Sequence, residues 1–336
     1  MSPIVTQAQT SISAMQAPMA IEAVDLVKAF GSNRAVNGVS LSVKAGTVYG
    51  LLGPNGAGKT TTVRMLATLL RPDAGTARIF GYDVVRDATR VRRLIGVTGQ
   101  YASVDETLTA AENLTLFGRL LGLSRREARA TAERLLEQFG LTEARNRPIK
   151  HFSGGMRRRL DLAASLIAKP PLIFLDEPTT GLDPRTRAQM WDTIRELVRD
   201  GTTVLLTTQY LDEADQLAER IAVIDHGRVI AEGTPDDLKS SVGQSSLYLT
   251  FARPADVARA RALVEAVLGV QATPSPEGQR LVAPISDMGR IPELLVAMKT
   301  AGIDISELVV QKPTLDEVFL ALTGHGAEPS GEGANA

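Results

Sequence analysis

From Ile21 onward, short apolar runs alternate with amphipathic stretches. Residues 21–27 and 39–43 alternate apolar and polar positions around Gly31-Ser32-Asn33, which predicts two strands and a turn. Residues 47–52 are a β-rich apolar run ending at Gly53. Beyond the glycine-rich segment, Val63, Leu66, Ala67 and Leu70 recur at helical spacing, and Arg71-Pro72-Asp73-Ala74-Gly75 closes the helix. The composition of residues 107–139 predicts unbroken helix. Residues 172–175 and 203–206 are wholly apolar, as in strands covered on both sheet faces, and each precedes a helical stretch, 185–199 and 211–219. Residues 221–224 and 228–231 flank Asp225-His226-Gly227, a hairpin signal. The pattern predicts an α/β core with a mostly parallel sheet and an antiparallel edge.

After Lys239-Ser240-Ser241-Val242-Gly243 the texture changes. Strands over 247–251, 270–273, 279–284 and 305–311 and helices over 255–268 and 290–300 give the order β-α-β-β-α-β, a small ferredoxin-like unit. A last helix, 315–322, opens with a Thr314/Glu317 capping box and carries Leu315, Val318, Phe319 and Leu322 as one stripe. That stripe either supports assembly, as the whole appendix is expected to, or packs only within its own domain. The expected division is a flexible leader over 1–20, a nucleotide-binding domain over 21–240 with a helical subdomain at about 103–168, an accessory or regulatory domain over 245–323, and a disordered tail over 324–336.

Composition narrows the chemistry. At 336 residues the chain has room for about two domains. With 37 Lys+Arg against 38 Asp+Glu, it is not built around a polyanion, so nucleic acid is not an expected partner. The absence of cysteine excludes disulfides, thiolate metal sites and Cys nucleophiles. The three histidines, His151, His226 and His325, are too few and too scattered for a His-rich metal site. No apolar run approaches the ~20 residues that span a bilayer, and the uncharged start lacks the basic head of a secretory signal.

Gly53-Pro54-Asn55-Gly56-Ala57-Gly58-Lys59-Thr60 fits the phosphate-binding loop pattern G-x-x-x-x-G-K-[ST], between an apolar strand and a helix. Its glycines let backbone N–H groups cradle phosphate oxygens at a helix start. Lys59 would reach the β/γ-phosphates, and the Thr60 hydroxyl would ligate Mg²⁺. The apolar strand at 172–175 ends in Asp176-Glu177, which places Asp176 to hold the Mg²⁺ shell and Glu177 to orient and deprotonate an attacking water. Ser153-Gly154-Gly155-Met156, with Ser153 as N-cap, offers a second anion site at a helix start. One chain needs one such site per nucleotide, so a second makes sense if it closes over a nucleotide held by another copy.

Over roughly residues 21–239 the chain resembles the ATP-binding-cassette (ABC) family, with the motifs in family order. The resemblance implies an α/β P-loop nucleotide-binding domain with an antiparallel β subdomain and a helical subdomain. It implies that Phe30 stacks on adenine, that Gly53, Pro54, Asn55, Gly56, Ala57, Gly58, Lys59, Thr60 and Thr61 hold the phosphates, and that Gln100 ligates Mg²⁺ and senses the membrane subunit. Ser153, Gly154, Gly155 and Met156 match the family signature, and Gly181-Leu182-Asp183 matches the dimer-contact loop, which brings Asp183 to the nucleotide interface. Phe-Ser-Gly-Gly-Met-Arg-Arg-Arg, Leu-Leu-Thr-Thr-Gln-Tyr and Leu-Asp-Glu-Val-Phe-Leu-Ala-Leu-Thr-Gly are similar to the daunorubicin/doxorubicin-resistance type of antibiotic exporter ATPase.

Two departures stand out: Phe152 and Met156 replace the outer Leu and Gln of the signature, and Gln209 stands where most relatives carry a switch histidine. Gln209 is expected to donate a hydrogen bond to phosphate without titrating, the alternative being that it only caps the helix after it. Asp212-Glu213-Ala214-Asp215 spells a helicase box but follows the wrong strand, and it is expected to be a solvated helix face. Arg157-Arg158-Arg159 is expected to be surface charge with one or two interface contacts. The resulting expectation is an ATP- and Mg²⁺-dependent energy-coupling ATPase that works as a nucleotide-sandwich homodimer at the cytoplasmic face of the cell membrane. Integral-membrane ABC-2 type permease subunits on separate chains would bind the exported small molecule. A soluble ribosome-binding or DNA-repair cassette is the competing class; such proteins typically carry two cassettes or long insertions, whereas this chain has one phosphate loop.

Overall fold

Strands β1 (Met19–Phe30) and β2 (Asn33–Lys44) form the expected antiparallel hairpin around Gly31-Ser32. Each outruns its apolar alternation, β1 through Met19-Ala20 and Lys28-Ala29-Phe30, and β2 through residues 33–38 and Lys44. The computed structural model describes residues 18–99, 104–243, 245–275 and 279–323. The expectations for residues 1–17, for Gln100 and for the tail over 324–336, including His325, lie outside the described residues. Strands β4 (Ala74–Ile79) and β5 (Tyr82–Asp83) complete a sheet ordered β2-β1-β4-β5. The apolar pattern does not reveal β4, which buries only Ala77 and Ile79.

The central sheet contains β3 (Val48–Leu52), β6 (Ile95–Thr98), β7 (Leu172–Asp176), β8 (Thr203–Thr208), β9 (Arg220–Asp225) and β10 (Arg228–Gly233), ordered β10-β9-β3-β8-β7-β6. All pairs are parallel except β9–β10, the antiparallel edge. Every residue of β3, β7 and β8 is buried, which is why these strands read as unbroken apolar runs. The register pairs Leu52 with Thr208, Asp176 with Thr207, and Leu175 with Thr98. The four segments that leave β3, β8, β7 and β6 therefore emerge side by side at one edge, where open parallel sheets place their ligands.

Helix α1 (Lys59–Leu66) starts at the end of the glycine loop and stops earlier than its spacing predicts, since Thr68 turns to a φ of +63° and leaves Leu70 off the helix. After the short α2 (Ala88–Arg92), the stretch predicted as one helix is two, α3 (Ala110–Leu120) and α4 (Arg125–Gln138). Gly122 at φ +91° breaks it, and Ser124 and Glu127 form a capping box that starts α4, local signals that outweigh the helical composition. Helices α5 (Gly154–Ser165), α6 (Pro184–Arg199), α7 (Leu211–Leu217) and α8 (Pro235–Val242) follow the signature segment, β7, β8 and β10.

The C-terminal sheet of β11 (Ser245–Phe251), β12 (Thr273–Pro274), β13 (Arg280–Ile285) and β14 (Ile305–Gln311) is antiparallel and ordered β12-β13-β11-β14, with α9 (Asp256–Leu268) and α10 (Ile291–Thr300) on its apolar face. This is the ferredoxin-like order. Helix α11 (Leu315–Thr323) does not join that core: Leu315, Val318 and Phe319 share a cluster with Leu211, Ala214, Leu217 and Leu238 of α7 and α8. Leu322 of the predicted stripe is exposed. The stripe thus packs on α7 and α8 of its own chain, outside the ferredoxin-like unit, which neither expectation foresaw. Among the described residues, no helix is long and apolar enough to cross a membrane.

Candidate active site

The glycine loop between β3 and α1 is fixed by close backbone approaches. A Cβ on Gly53 would lie 2.2 Å from the Ile224 carbonyl oxygen, and one on Gly58, at φ +105°, would lie 2.3 Å from that of Ala35. Ala57 is buried in the hairpin core, Pro54 is half-buried, and Asn55 and Gly56 face solvent. Lys59 is only 4% exposed. Its Nζ donates to the carbonyls of Gly53 (2.7 Å) and Pro54 (3.1 Å) and stands 3.9 Å from Glu177 Oε1. Thr61 lies half-buried in the first turn of α1. Phe30 ends β1 with 53% of its surface exposed and Lys28 Nζ 5.8 Å from its ring centre, so a flat aromatic face is open to a ligand.

The two carboxylates after β7 have different surroundings. Asp176 is buried, and its Oδ1 accepts from Thr207 Oγ1 at 2.5 Å and from Thr60 Oγ1 at 3.1 Å. Glu177 has a φ of +50°, a conformation that side-chain-bearing residues rarely adopt. Its N–H donates to the backbone oxygen and hydroxyl of Thr207, and its carboxylate accepts from Thr180 Oγ1 at 3.3 Å. A hydroxyl and a carboxylate converging beside a phosphate loop are hard oxygen donors that suit Mg²⁺, which keeps waters and substrate phosphate in its remaining positions. The residues present therefore fit that ion.

Arg158, expected at the surface, is half-buried and turned onto the backbone of its own chain. Its Nε donates to the Pro178 carbonyl, Nη1 to that of Gly99, and Nη2 to those of Asp176 and Glu177, at 2.5–3.1 Å. Burial lowers its pKa, opposed by the nearby carboxylates of Asp161, Asp176, Glu213 and Glu177. Arg157 pairs with Glu106 at 2.7 Å, and Arg159 donates to the Phe139 carbonyl, so this basic run binds its own chain. Composition hid this: three adjacent arginines look alike in sequence, but helix geometry points them in different directions.

Ser153 N-caps α5, its Oγ accepting from the Met156 N–H at 3.3 Å. Gly154 faces open space, whereas a Cβ on Gly155 would lie 2.3 Å from Thr186 Cγ2. The two glycines thus do different things, one leaving the helix start uncovered and the other admitting α6. Met156 packs half-buried against the main core. Asp183 N-caps α6, accepting from the Thr186 N–H (2.9 Å) and hydroxyl (2.6 Å), and these bonds hold its carboxyl below the usual range. The structure thus groups Ser153–Gly155 with Asp183, and Lys59 and Thr60 with Asp176 and Glu177.

Gln209 is half-buried directly after β8, where the Gly53 N–H donates to the Thr208 carbonyl, so it emerges beside the phosphate loop. The N-cap of α7 is Tyr210, with no side-chain capping bond. Gln209 is therefore not the cap of that helix. The apparent helicase box is not simply a solvated face: Glu213 is fully buried, and the half-exposed Asp215 pairs with Lys239. Glu213 Oε1 accepts from Trp191 Nε1 of α6 at 3.3 Å, and its pKa is raised because burial outweighs the Thr208 and Thr179 hydroxyls, Trp191 and Arg187. His151 and His226 are exposed.

A family profile described as ABC transporter matches residues 36–180, and one described as ATP-binding protein DrrA1-3-like, C-terminal domain, matches residues 233–323. The daunorubicin/doxorubicin resistance ATP-binding protein DrrA of Streptomyces peucetius is 57% identical over 93% of this chain and 95% of its own. The chain belongs to the ABC transporter ATP-binding proteins. The doxorubicin resistance ATP-binding protein of Mycobacterium tuberculosis is 46% identical over 91% of this chain and 94% of its own. A dimeric, post-hydrolysis ATP-binding cassette bound to ADP and phosphate superimposes with a TM-score of 0.59 at 28% identity, covering 64% of this chain and 98% of that one. Membership makes the chain an ATPase of the ABC class.

Proposed function

We propose that this ABC ATPase powers export of an antibiotic-type small molecule, hydrolysing ATP between two copies of itself. The observation that carries the reading is the convergence of Lys59, Thr60, Asp176 and Glu177, drawn from the ends of β3 and β7, the two strands that flank β8, into hydrogen-bond or ion-pair range. The loop N–H groups and Lys59 hold the phosphates of ATP, and Phe30 offers a face for the adenine. Glu177 accepts a proton from water as its oxygen attacks the γ-phosphorus, and the bond to the bridging oxygen breaks to leave ADP and phosphate. Mg²⁺ would be held by Thr60, Asp176 and Gln100, and it would neutralise charge on the transferred phosphoryl group. Gln209 donates to a phosphate oxygen.

The uncovered start of α5 at Ser153 and Gly154 supports the dimer. The first N–H groups of a helix lack partners within it and attract anions. Within one chain this helix start packs on Thr186 of α6, so its open side is left for a nucleotide on a second copy, next to Asp183, while Met156 steadies the turn. A groove of about 730 Å³ beside β6, α3 and α5, lined by Val97, Phe117 and Leu121 with the exposed Arg92 beside them, suits a short helix from a separate ABC-2 type permease subunit. Leu120, 72% exposed, extends that apolar surface. Such docking places the chain peripherally at the cytoplasmic face of the membrane, with the cargo held mainly by the permease. We assign residues 21–240 to the ATPase and 245–323 to an accessory domain.

Glu177→Gln tests this reading. It should slow ATP hydrolysis by roughly 10²–10⁴, the usual worth of a general base, while retaining ATP affinity. Light scattering should then show an ATP-dependent dimer. Turnover near wild type, or a monomer at saturating ATP, would refute the assignment.

A further inference from the structure

The carbonyl oxygens of Asp176, Glu177 and Pro178 are three in succession, and all point at one side chain. In a loop leaving a sheet, successive carbonyls ordinarily diverge to separate partners or to water. Here a single guanidinium collects them, and its remaining nitrogen, Nη1, donates to the carbonyl of Gly99, which follows the neighbouring strand just before Gln100. Five N–H groups in a fixed planar fork can do this; the point charge of a lysine cannot. The middle peptide is held at both ends: the Glu177 N–H donates to Thr207 of β8, and its C=O accepts from Arg158 of α5. Between these grips Glu177 takes its left-handed φ of +50°, and its carboxylate lies 3.9 Å from Lys59 Nζ. A side chain in that region persists only where its surroundings impose it.

We propose that Arg158 is a positioning residue for hydrolysis: by gathering the carbonyls of Gly99, Asp176, Glu177 and Pro178, it fixes the backbone twist that aims the Glu177 carboxylate at the phosphate loop. This rests on Glu177 being the base. Arg158 sits on the same helix whose start, at Ser153 and Gly154, is offered to the second nucleotide. The fork therefore joins three parts that must move together: the start of α5, the end of β7 and the strand end before Gln100. A shift of α5 by a fraction of an ångström pulls directly on the peptide that carries the base.

The test compares Arg158→Met and Arg158→Lys with wild type in the full-length chain, alone and combined with Glu177→Gln. Arg158→Met should lower kcat roughly tenfold to a hundredfold, the effect of misplacing a catalytic group by about 1 Å, with KM for ATP within about twofold. Arg158→Lys should fall between, because it keeps the charge and loses the fork. In the Glu177→Gln background neither change should slow residual single-turnover hydrolysis further, since the group being aimed is already disabled. A comparable further loss there would show that Arg158 acts independently of Glu177 and overturn the proposal, as would an unchanged kcat with a raised KM. If Arg158→Met does not fold, Arg158→Lys carries the same comparison. The failure of the base assignment reads separately, as near-normal turnover by Glu177→Gln alone.

Discussion

Glu213 is a fully buried carboxyl whose pKa is raised mainly by burial, and this makes the stability of the protein depend on pH with a predictable sign. Below about pH 4.5, the ordinary glutamate value, both folded and unfolded states carry the proton, and the residue contributes no pH dependence. Above it the unfolded chain releases the proton while the folded chain keeps it. Stability therefore falls as pH rises, by up to ~1.4 kcal/mol per pH unit, until the folded carboxyl ionises too. Glu213→Gln replaces the neutral acid with an amide of the same shape. Its oxygen can still accept from Trp191 Nε1, and its NH₂ can donate to the Thr179 and Thr208 hydroxyls nearby. The variant should match wild type near pH 4 and gain on it as pH rises. Exposed carboxylates with lowered pKa, such as Asp73 and Asp183, give the opposite slope, but they cancel in the difference between the two proteins. Urea denaturation at half-unit steps from pH 4 to 8 measures that difference. A constant offset between variant and wild type would show that Glu213 is ionised in the fold and would refute the argument.

Two further outcomes are expected. Gln209→Ala should lower turnover roughly tenfold to a hundredfold, the equivalent of one hydrogen bond of about 1.5–3 kcal/mol to a charged partner, and Gln209→His should acquire a rate dependence between about pH 6 and 7 that wild type lacks; steady-state ATPase assays across that range check both. Phe319→Ala should destabilise the ATPase body by about 3–5 kcal/mol in urea titrations, because Phe319 is 4% exposed within the cluster it shares with α7, whereas Leu320→Ala, at 53% exposure, should stay within about 0.5 kcal/mol of wild type.

What was legible in the sequence was whatever local pattern dictates. The unbroken apolar runs of β7 and β8, the glycine loop with its lysine and threonine, the Asp176-Glu177 strand end and the Asp225-His226-Gly227 hairpin all depend on neighbours a few residues away. The parts that escaped depend on partners far along the chain. Arg158 reads as one of three equivalent arginines until the carbonyls of Gly99 and Asp176–Pro178 close around it. Glu213 reads as a polar helix face until Trp191 and α6 cover it. Thr207 was visible only as a polar residue at the end of a buried strand, yet its hydroxyl serves both Asp176 and Glu177, accepting from the Glu177 N–H and donating to Asp176. A threonine at the buried end of a parallel strand next to two acids was the available signal.

Helix α11 changes where the molecule divides. The linker after Lys239 reads as a boundary in composition, and an ATPase cut at Ser240 would seem to lose only an appendix. In the structure the chain crosses into the ferredoxin-like sheet and returns. Lys312 pairs with Asp236 of α8 at 2.9 Å, and α11 then lays Leu315, Val318 and Phe319 against Leu211 and Leu217 of α7 and Leu238 of α8. Leu211 begins the helix two residues after Gln209, and Glu213, two residues further on, faces Trp191 of α6. Removing everything beyond Ser240 would uncover this apolar surface beneath Gln209, so a truncated chain that bound ATP poorly would report a damaged core rather than a nucleotide-binding role for the appendix. Point changes on the ferredoxin-like sheet, which leave α11 in place, separate the two.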